Sequence, residues 1–270
     1  MMNKVVFDNI VFNLQKFGGI SNYWHQLLVR LVNDPDFESY FIENENQNLF
    51  ATFQNTPREK IISVNGKLPI SISRFVNPKL NFIKSKFIFH SSYNRYSTNK
   101  NALNVSTIHD LIHFKYQNGA RKLIHNTQKR LALMNSAAII TISESTKRDL
   151  LNYFPQVSAD NIHVVYNGVS DEFYKIDQKY HRYELDEELI NQSYILWVSS
   201  RERYKNFSFA VDLLNKLPDF KFYIVGGKLS NDEVLKMNRL IPGRWKLFTA
   251  ISLKTLNELY NHAYVLLYPS

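Results

Sequence analysis

Three cations, Arg201, Arg203 and Lys205, stand within five positions, after the apolar run Tyr194–Val198 and before Asn206 and the segment FSFAVDLLNKL. The run is β-branched and aromatic with no charge, the pattern of a buried strand, and the segment after it has apolar residues at helical spacing. A strand that ends in a cationic loop and feeds a helix start can hold a diphosphate. The first helical turn offers unpaired N–H groups and a positive dipole end, and the side chains add full charges. The same residues also read as a solvated βα loop with three surface cations.

Two further places carry chemistry. Gly18-Gly19 lies between a first strand, Lys4–Asp8, and a first helix, Ile20–Val32. Glycine there allows a backbone to approach a ligand closely, and the helix start favours an anion; a plain tight turn is the alternative. The pair is not GxGxxG, so a dinucleotide oxidoreductase is a poor reading. His109-Asp110 follows the strand Ala102–Ile108 at its carboxyl end, where a histidine can hydrogen-bond a substrate hydroxyl or anchor the loop. His109 and His113 are four apart, but the preceding strand and the missing HExxH glutamate argue against zinc. Ser143 reads as the N-cap of a helix running to Tyr153, and Asn167-Gly168 as a left-handed turn. No GxSxG elbow is present, and nothing singles out a pair of glycosidase carboxylates.

These residues need strand ends and helix starts to hold them, and the chain supplies both in alternation. Of 270 residues, 44% are hydrophobic and 21% charged, enough for two α/β cores. Zero cysteines exclude disulfides and thiolate metal sites. The N-terminus does not read as a signal peptide, and no window suits a membrane span. Strand and helix segments alternate through both halves, which predicts parallel sheets with helices on both faces. The expected organisation is a Rossmann-like domain over 1–168, a linker over 169–192 and a second Rossmann-like domain over 193–270. The net charge of +9 is uneven: residues 58–133 hold 14 Lys or Arg against Glu59 and Asp110, while the remainder holds 19 bases and 22 acids. Such a basic face suits anionic lipid, phosphate-bearing substrates or nucleic acid.

In order along the chain, FGGISNYW (Phe17–Trp24), VSTIHDLIHFKY (Val105–Tyr116), IITISESTKRDLL (Ile139–Leu151), VVYNGVSDEF (Val164–Phe173), ILWVSSRERYKNF (Ile195–Phe207) and LYNHAYVLLYPS (Leu259–Ser270) resemble the motifs of family 4 glycosyltransferases. The resemblance is to bacterial mannosyltransferase-like members with two Rossmann-like domains, the GT-B fold. It implies retaining, metal-independent transfer of a hexose, GDP-mannose being favoured as donor, with no cofactor. Under it Arg201 and Lys205, with Asn206 beside them, bind the donor diphosphate. His109 and Asp110 are the catalytic candidates, His109 near the reacting carbon, and Gly18 and Gly19 line the acceptor and phosphate side. The acceptor is expected to be a glycan or a polyprenyl-linked species in cell-surface polysaccharide or lipopolysaccharide synthesis. The basic stretch 58–133 would then dock on an anionic membrane, at the inner face of which a cytoplasmic protein sits peripherally.

Two departures stand out. Ser199 replaces a glycine common in relatives, and relatives continue past the YPS-like strand end into an EGFG-type segment that holds sugar and ribose. The second domain is therefore expected to be incomplete by something on the order of a hundred residues. Three functions follow: an active glycosyltransferase, a non-catalytic remnant that needs a partner chain, and a nucleic-acid binder. Donor binding lost with Arg201, a folded protein without turnover, and salt-sensitive nucleic-acid binding independent of Arg201 separate them.

Overall fold

The computed structural model describes residues 3–16, 18–43, 46–48, 50–51, 56–64, 68–112, 114, 120–177 and 182–270. The chain divides into two compact units, Met1–Asn167 and Gly168–Ser270. In the first, strands β1 (Asn3–Asp8), β2 (Phe37–Ile42), β3 (Ile61–Ile62), β4 (Phe87–Ser91), β5 (Ala102–Ile108), β6 (Ala138–Thr141) and β7 (Ile162–Val164) form one sheet. All pairings are parallel and the order is β3-β2-β1-β4-β5-β6-β7. Helices α1 (Val11–Leu14), α2 (Gly19–Leu31), α3 (Ile70–Ser73), α4 (Ala120–Met134) and α5 (Glu144–Tyr153) accompany it. The order reverses between β1 and β4, so the ligand crevice of such a sheet lies outside Asp8 and Ser91.

The centre of β1, Val5–Phe7, is apolar because both its faces are covered. Val5 and Phe7 pack with Trp24 and Leu28 of α2, while Val6 joins Leu80, Ile83 and Phe89 on the other side. Its last residue, Asp8, is fully buried and accepts two bonds from the buried Arg95, one at 2.7 Å from Nε, plus one at 2.7 Å from Ser91 Oγ. Arg95 therefore ties the ends of β1 and β4 and does not belong to a basic face. Ser143 caps α5 as expected, with Thr146 N donating to its Oγ at 3.1 Å.

In the second unit β8 (Tyr194–Val198), β9 (Lys221–Val225), β10 (Trp245–Phe248) and β11 (Val265–Leu266) form a parallel sheet in the order β10-β9-β8-β11. Helices α6 (Glu187–Ile190), α7 (Phe207–Asn215), α8 (Asn231–Leu240) and α9 (Leu253–His262) flank it. β8 sends Ile195 and Trp197 to one core, with Val211 and Met237, and Tyr194 and Leu196 to another, with Leu259. This order reverses between β8 and β11. β11 pairs only with β8 among the described residues and exposes Val265 and Leu266.

The stretch expected as a linker is stitched to α9. Tyr174 N and Ile176 N donate to Asn257 and Asn261, and Glu184 N and Leu185 N donate to the buried Glu258 carboxylate. Asn167-Gly168 is not left-handed: among the described residues positive φ occurs at Asn206, Ala250 and Gly243. Single-turn helices α1, α3 and α6 escaped the periodicity reading because four residues are too few to display a helical period.

Candidate functional site

In the second unit the expected diphosphate residues gather at the carboxyl edge of the sheet, at its reversal point. β8 ends at Val198, a 3₁₀ turn covers Arg203–Lys205, and Asn206 takes a left-handed conformation (φ 57°) before α7. Asn206 makes no side-chain cap; its Nδ2 donates to Pro269 O at 2.8 Å instead. The first N–H groups of α7 thus keep the anion-facing character of an uncapped helix start.

Arg201 is only 10% exposed at its side chain and largely engaged. Nε donates to Glu233 Oε1 at 3.1 Å, and Nη2 donates to Gly227 O at 3.0 Å and to Lys228 O. Nη1 is buried without a partner. The other carboxylate oxygen of Glu233 accepts from Ser230 N at 2.7 Å, closing the capping box that starts α8. Lys205 is held differently. Its Nζ donates to the Tyr268 hydroxyl and lies 5.0 Å and 4.6 Å from the ring centroids of Tyr204 and Tyr268. Burial pushes the Tyr268 phenol up, but bonds with Lys205 and Ser199 and the Lys205 charge outweigh it and leave the pKa below the ordinary value. With Arg201 paired to a carboxylate, Lys205 carries the uncompensated charge of the pair.

The Ser199 turn packs closely against Gly226. A Cβ there would stand 2.8 Å from Ser199 O and 3.2 Å from Arg201 Nη1, so a side chain would displace the loop. Gly226, Glu233 and Tyr268 were not singled out by the sequence reading. The Ser230-x-x-Glu233 box was legible as a helix start, whereas its second use, on a residue 32 positions away, was not.

In the first unit His109 sits just past β5 with its ring edge-on to Tyr23, centroids 4.8 Å apart. Tyr23 is four residues beyond Gly19, one turn along α2, so the glycine pair and His109 are brought to one helix end. Gly18 is extended (φ 171°) with the Gln15 side chain where its Cβ would stand, whereas a Cβ at Gly19 would meet nothing within 4 Å. Burial, helped by the Lys129 charge and opposed by Asp110, lowers the His109 pKa to about 4, so the ring is neutral at pH 7. Behind it His90, buried on β4, bonds Thr107 Oγ1 through Nε2 at 2.9 Å and lies edge-on to Trp24; burial and His109 lower it to about 4 as well. Asp110 is fixed at both ends: Oδ1 accepts from Ile112 N at 3.2 Å, and its carbonyl accepts from Lys129 Nζ at 3.1 Å. Lys129 is buried and its pKa is lowered by that burial, so it too leaves the expected basic face. His113, Phe17 and Tyr116 lie outside the described residues. Among the described residues no three His, Cys, Asp or Glu side chains gather as a metal site would need, and no helix is long and apolar enough to cross a membrane.

Comparison with known structures places this architecture. The Anabaena protein HepE, solved in complex with UDP-glucose, superposes with a TM-score of 0.65 at 14% identity, over 98% of this chain and 73% of that one. Sucrose-phosphate synthase from Thermosynechococcus elongatus gives 0.67 at 15% identity, over 99% and 75%. A UDP-N-acetylglucosamine 2-epimerase gives 0.50 at 10% identity, over 98% and 72%. The chain thus spans about three quarters of the length of these structures and shares their fold, two Rossmann-like units of the GT-B type. No curated protein matches it in sequence. The sequence model described as Glycosyltransferase Family 4 matches residues 17–173, more than half of the chain and most of the first unit. The chain belongs to glycosyltransferase family 4.

Proposed function

We propose that the protein transfers a hexose from a nucleotide-sugar to an acceptor hydroxyl, with retention at the anomeric carbon and without a metal ion. The observation that carries this reading is the cationic edge of the second sheet, where Lys205 and the uncapped start of α7 lie at the reversal between β8 and β11 and Arg201 is fixed on the same loop by Glu233. In the transfer, the bond from the anomeric carbon to the diphosphate oxygen breaks, a bond to the acceptor oxygen forms, and the acceptor proton passes to the departing diphosphate. Charge grows on that diphosphate, so fixed cations and a helix start beside it stabilise the transition state more than the ground state. His109, neutral at pH 7, suits a hydrogen bond to a hexose hydroxyl rather than proton transfer. Asp110, anchored by Lys129, keeps that loop in place, and Gly19 offers open backbone to the acceptor side, while Gly18 packs against the Gln15 side chain.

The donor favoured by the sequence motifs is GDP-mannose; a UDP-sugar is the competing choice, since HepE was solved with UDP-glucose. The acceptor is read as a glycan or polyprenyl-linked species of cell-surface polysaccharide synthesis, reached from the inner face of an anionic membrane by the exposed cations between residues 58 and 133. Calorimetric titration with GDP-mannose and UDP-glucose, alongside Arg201→Ala, tests the donor site. Binding of one donor, weakened at least tenfold by the substitution, is expected. No binding of either donor to folded protein would favour a non-catalytic chain.

A further inference from the structure

We propose that Arg74, with Tyr93, His125 and Gln128, forms a phosphate-binding site on the first unit, and that it takes the phosphate of an amphiphile. The amphiphile's role as acceptor rests on the glycosyl-transfer reading; the phosphate site does not. Arg74 follows α3 and is half-buried. Its Nη2 lies 3.2 Å from the Tyr93 hydroxyl and 3.3 Å from His125 Nε2, while the Tyr93 hydroxyl lies 3.1 Å from His125 Nδ1. Gln128 Nε2 donates to Arg74 O, which joins the end of α3 to α4.

Proton counting shows what this network leaves over. A guanidinium only donates, so His125 Nε2 accepts from it, and in a neutral ring Nδ1 then carries the hydrogen and donates to Tyr93. The phenol oxygen accepts twice and keeps its own hydrogen for another acceptor. Arg74 Nε is buried with no partner, and no carboxylate pairs with Arg74 among the described residues. A half-buried guanidinium without a counter-ion, beside a spare hydroxyl donor, is completed by an anion, and its planar fork matches phosphate oxygens. Gln128 Oε1, also buried and unpartnered, can accept from a ligand hydroxyl or water.

The rim of the site selects the kind of phosphate. Ile72 and Phe75, on and just after α3, and Leu123 and Ile124 on α4 are all exposed, Leu123 at 68%. Phe75 and His125 keep these two elements in contact, with ring centroids 6.3 Å apart. The exposed Lys79, Lys84 and Lys86 follow α3 in sequence. A soluble phosphate has no use for that apolar rim, whereas a phosphate head on an apolar chain engages both.

Cosedimentation of the full chain with phosphatidic acid vesicles in phosphatidylcholine, beside titration with soluble glycerol phosphate, tests this. Arg74→Gln is expected to weaken vesicle binding about tenfold, and Lys86→Gln, at the same salt, less than about twofold. Tyr93→Phe keeps the ring packing and is expected to weaken binding severalfold, so a misfolded Arg74→Gln does not end the test. Ile72→Ser with Leu123→Ser lowers vesicle binding and spares glycerol phosphate. Equal losses for Arg74→Gln and Lys86→Gln mean diffuse charge and overturn the site. Glycerol phosphate binding that depends on Arg74, without vesicle binding, upholds the phosphate site and overturns the amphiphile. Nucleotide-sugar binding is expected to survive Arg74→Gln. Its absence from the unaltered chain, with phosphate binding intact, strikes the transfer reading alone.

Discussion

Replacing Lys205 by Met removes the cation of the Arg201–Lys205 pair that has no carboxylate partner among the described residues, while keeping the aliphatic stem. A phosphate oxygen about 4 Å from an ammonium gains about 4 kcal/mol at an effective dielectric of about 20. Part of that is offset, because Lys205 must release the Tyr268 hydroxyl and loosen its contact with two rings, worth about 1–2 kcal/mol together. The net loss is about 2–3 kcal/mol, or about 30- to 150-fold in Kd for UDP or GDP. Stability is expected to fall by about 1–2 kcal/mol, the worth of the same ring contacts and phenol bond. Titration calorimetry with each nucleotide, paired with thermal melts, reads both quantities. Tyr268→Phe provides the opposite perturbation: it frees the ammonium from the phenol and is expected to strengthen binding by a few fold. If Lys205→Met binds nucleotide within about threefold of the unaltered protein, the charge argument fails. If Tyr268→Phe weakens binding as much as Lys205→Met does, the phenol rather than the ammonium is the recognising group.

The remaining predictions concern the first unit. His90 and His109 are lowered from 6.5 to about 4, so between those values the unfolded chain binds more protons than the folded one. Their contribution to stability is therefore complete above about pH 6.5 and is lost as pH falls toward 4, on the order of 3 kcal/mol for the fully buried His90. Urea titrations at pH 7.5, 6 and 5 are expected to show this slope, and His90→Gln to flatten it; a slope unchanged in the variant refutes the assignment. Asp8→Asn leaves the Arg95 guanidinium buried without its carboxylate and is expected to cost about 3–5 kcal/mol. For a unit of this size that is a fall of about 10 °C in Tm, and a fall under about 3 °C would show that the pair contributes little beyond its own desolvation.

What the sequence revealed and what it hid divide along a physical line. β8 and the start of α7 were legible because a continuous apolar run and a helical period are local, and the Ser143 cap was legible for the same reason. The partners of the charges were not, because they are set by which strand ends meet. Arg201 and Lys205 look equivalent in the string RERYK, yet the fold gives one a carboxylate from α8 and the other a phenol beyond β11. Arg95 and Lys129 count toward a basic surface in composition, but one neutralises Asp8 and the other is buried on the carbonyl of Asp110. Both cations bond at carboxyl strand ends, Arg95 to the last residue of β1 and Lys129 to a carbonyl just past β5, where a parallel sheet leaves its last carbonyls and side chains without a neighbour. A cation there must either fasten the chain to itself or meet a ligand. Among the described residues Lys205 and Arg74 each lack a carboxylate in an ion pair, one in each unit, and each has spare donors or a readily displaced partner. That is why the two experiments on nucleotide and on phosphate read separate sites.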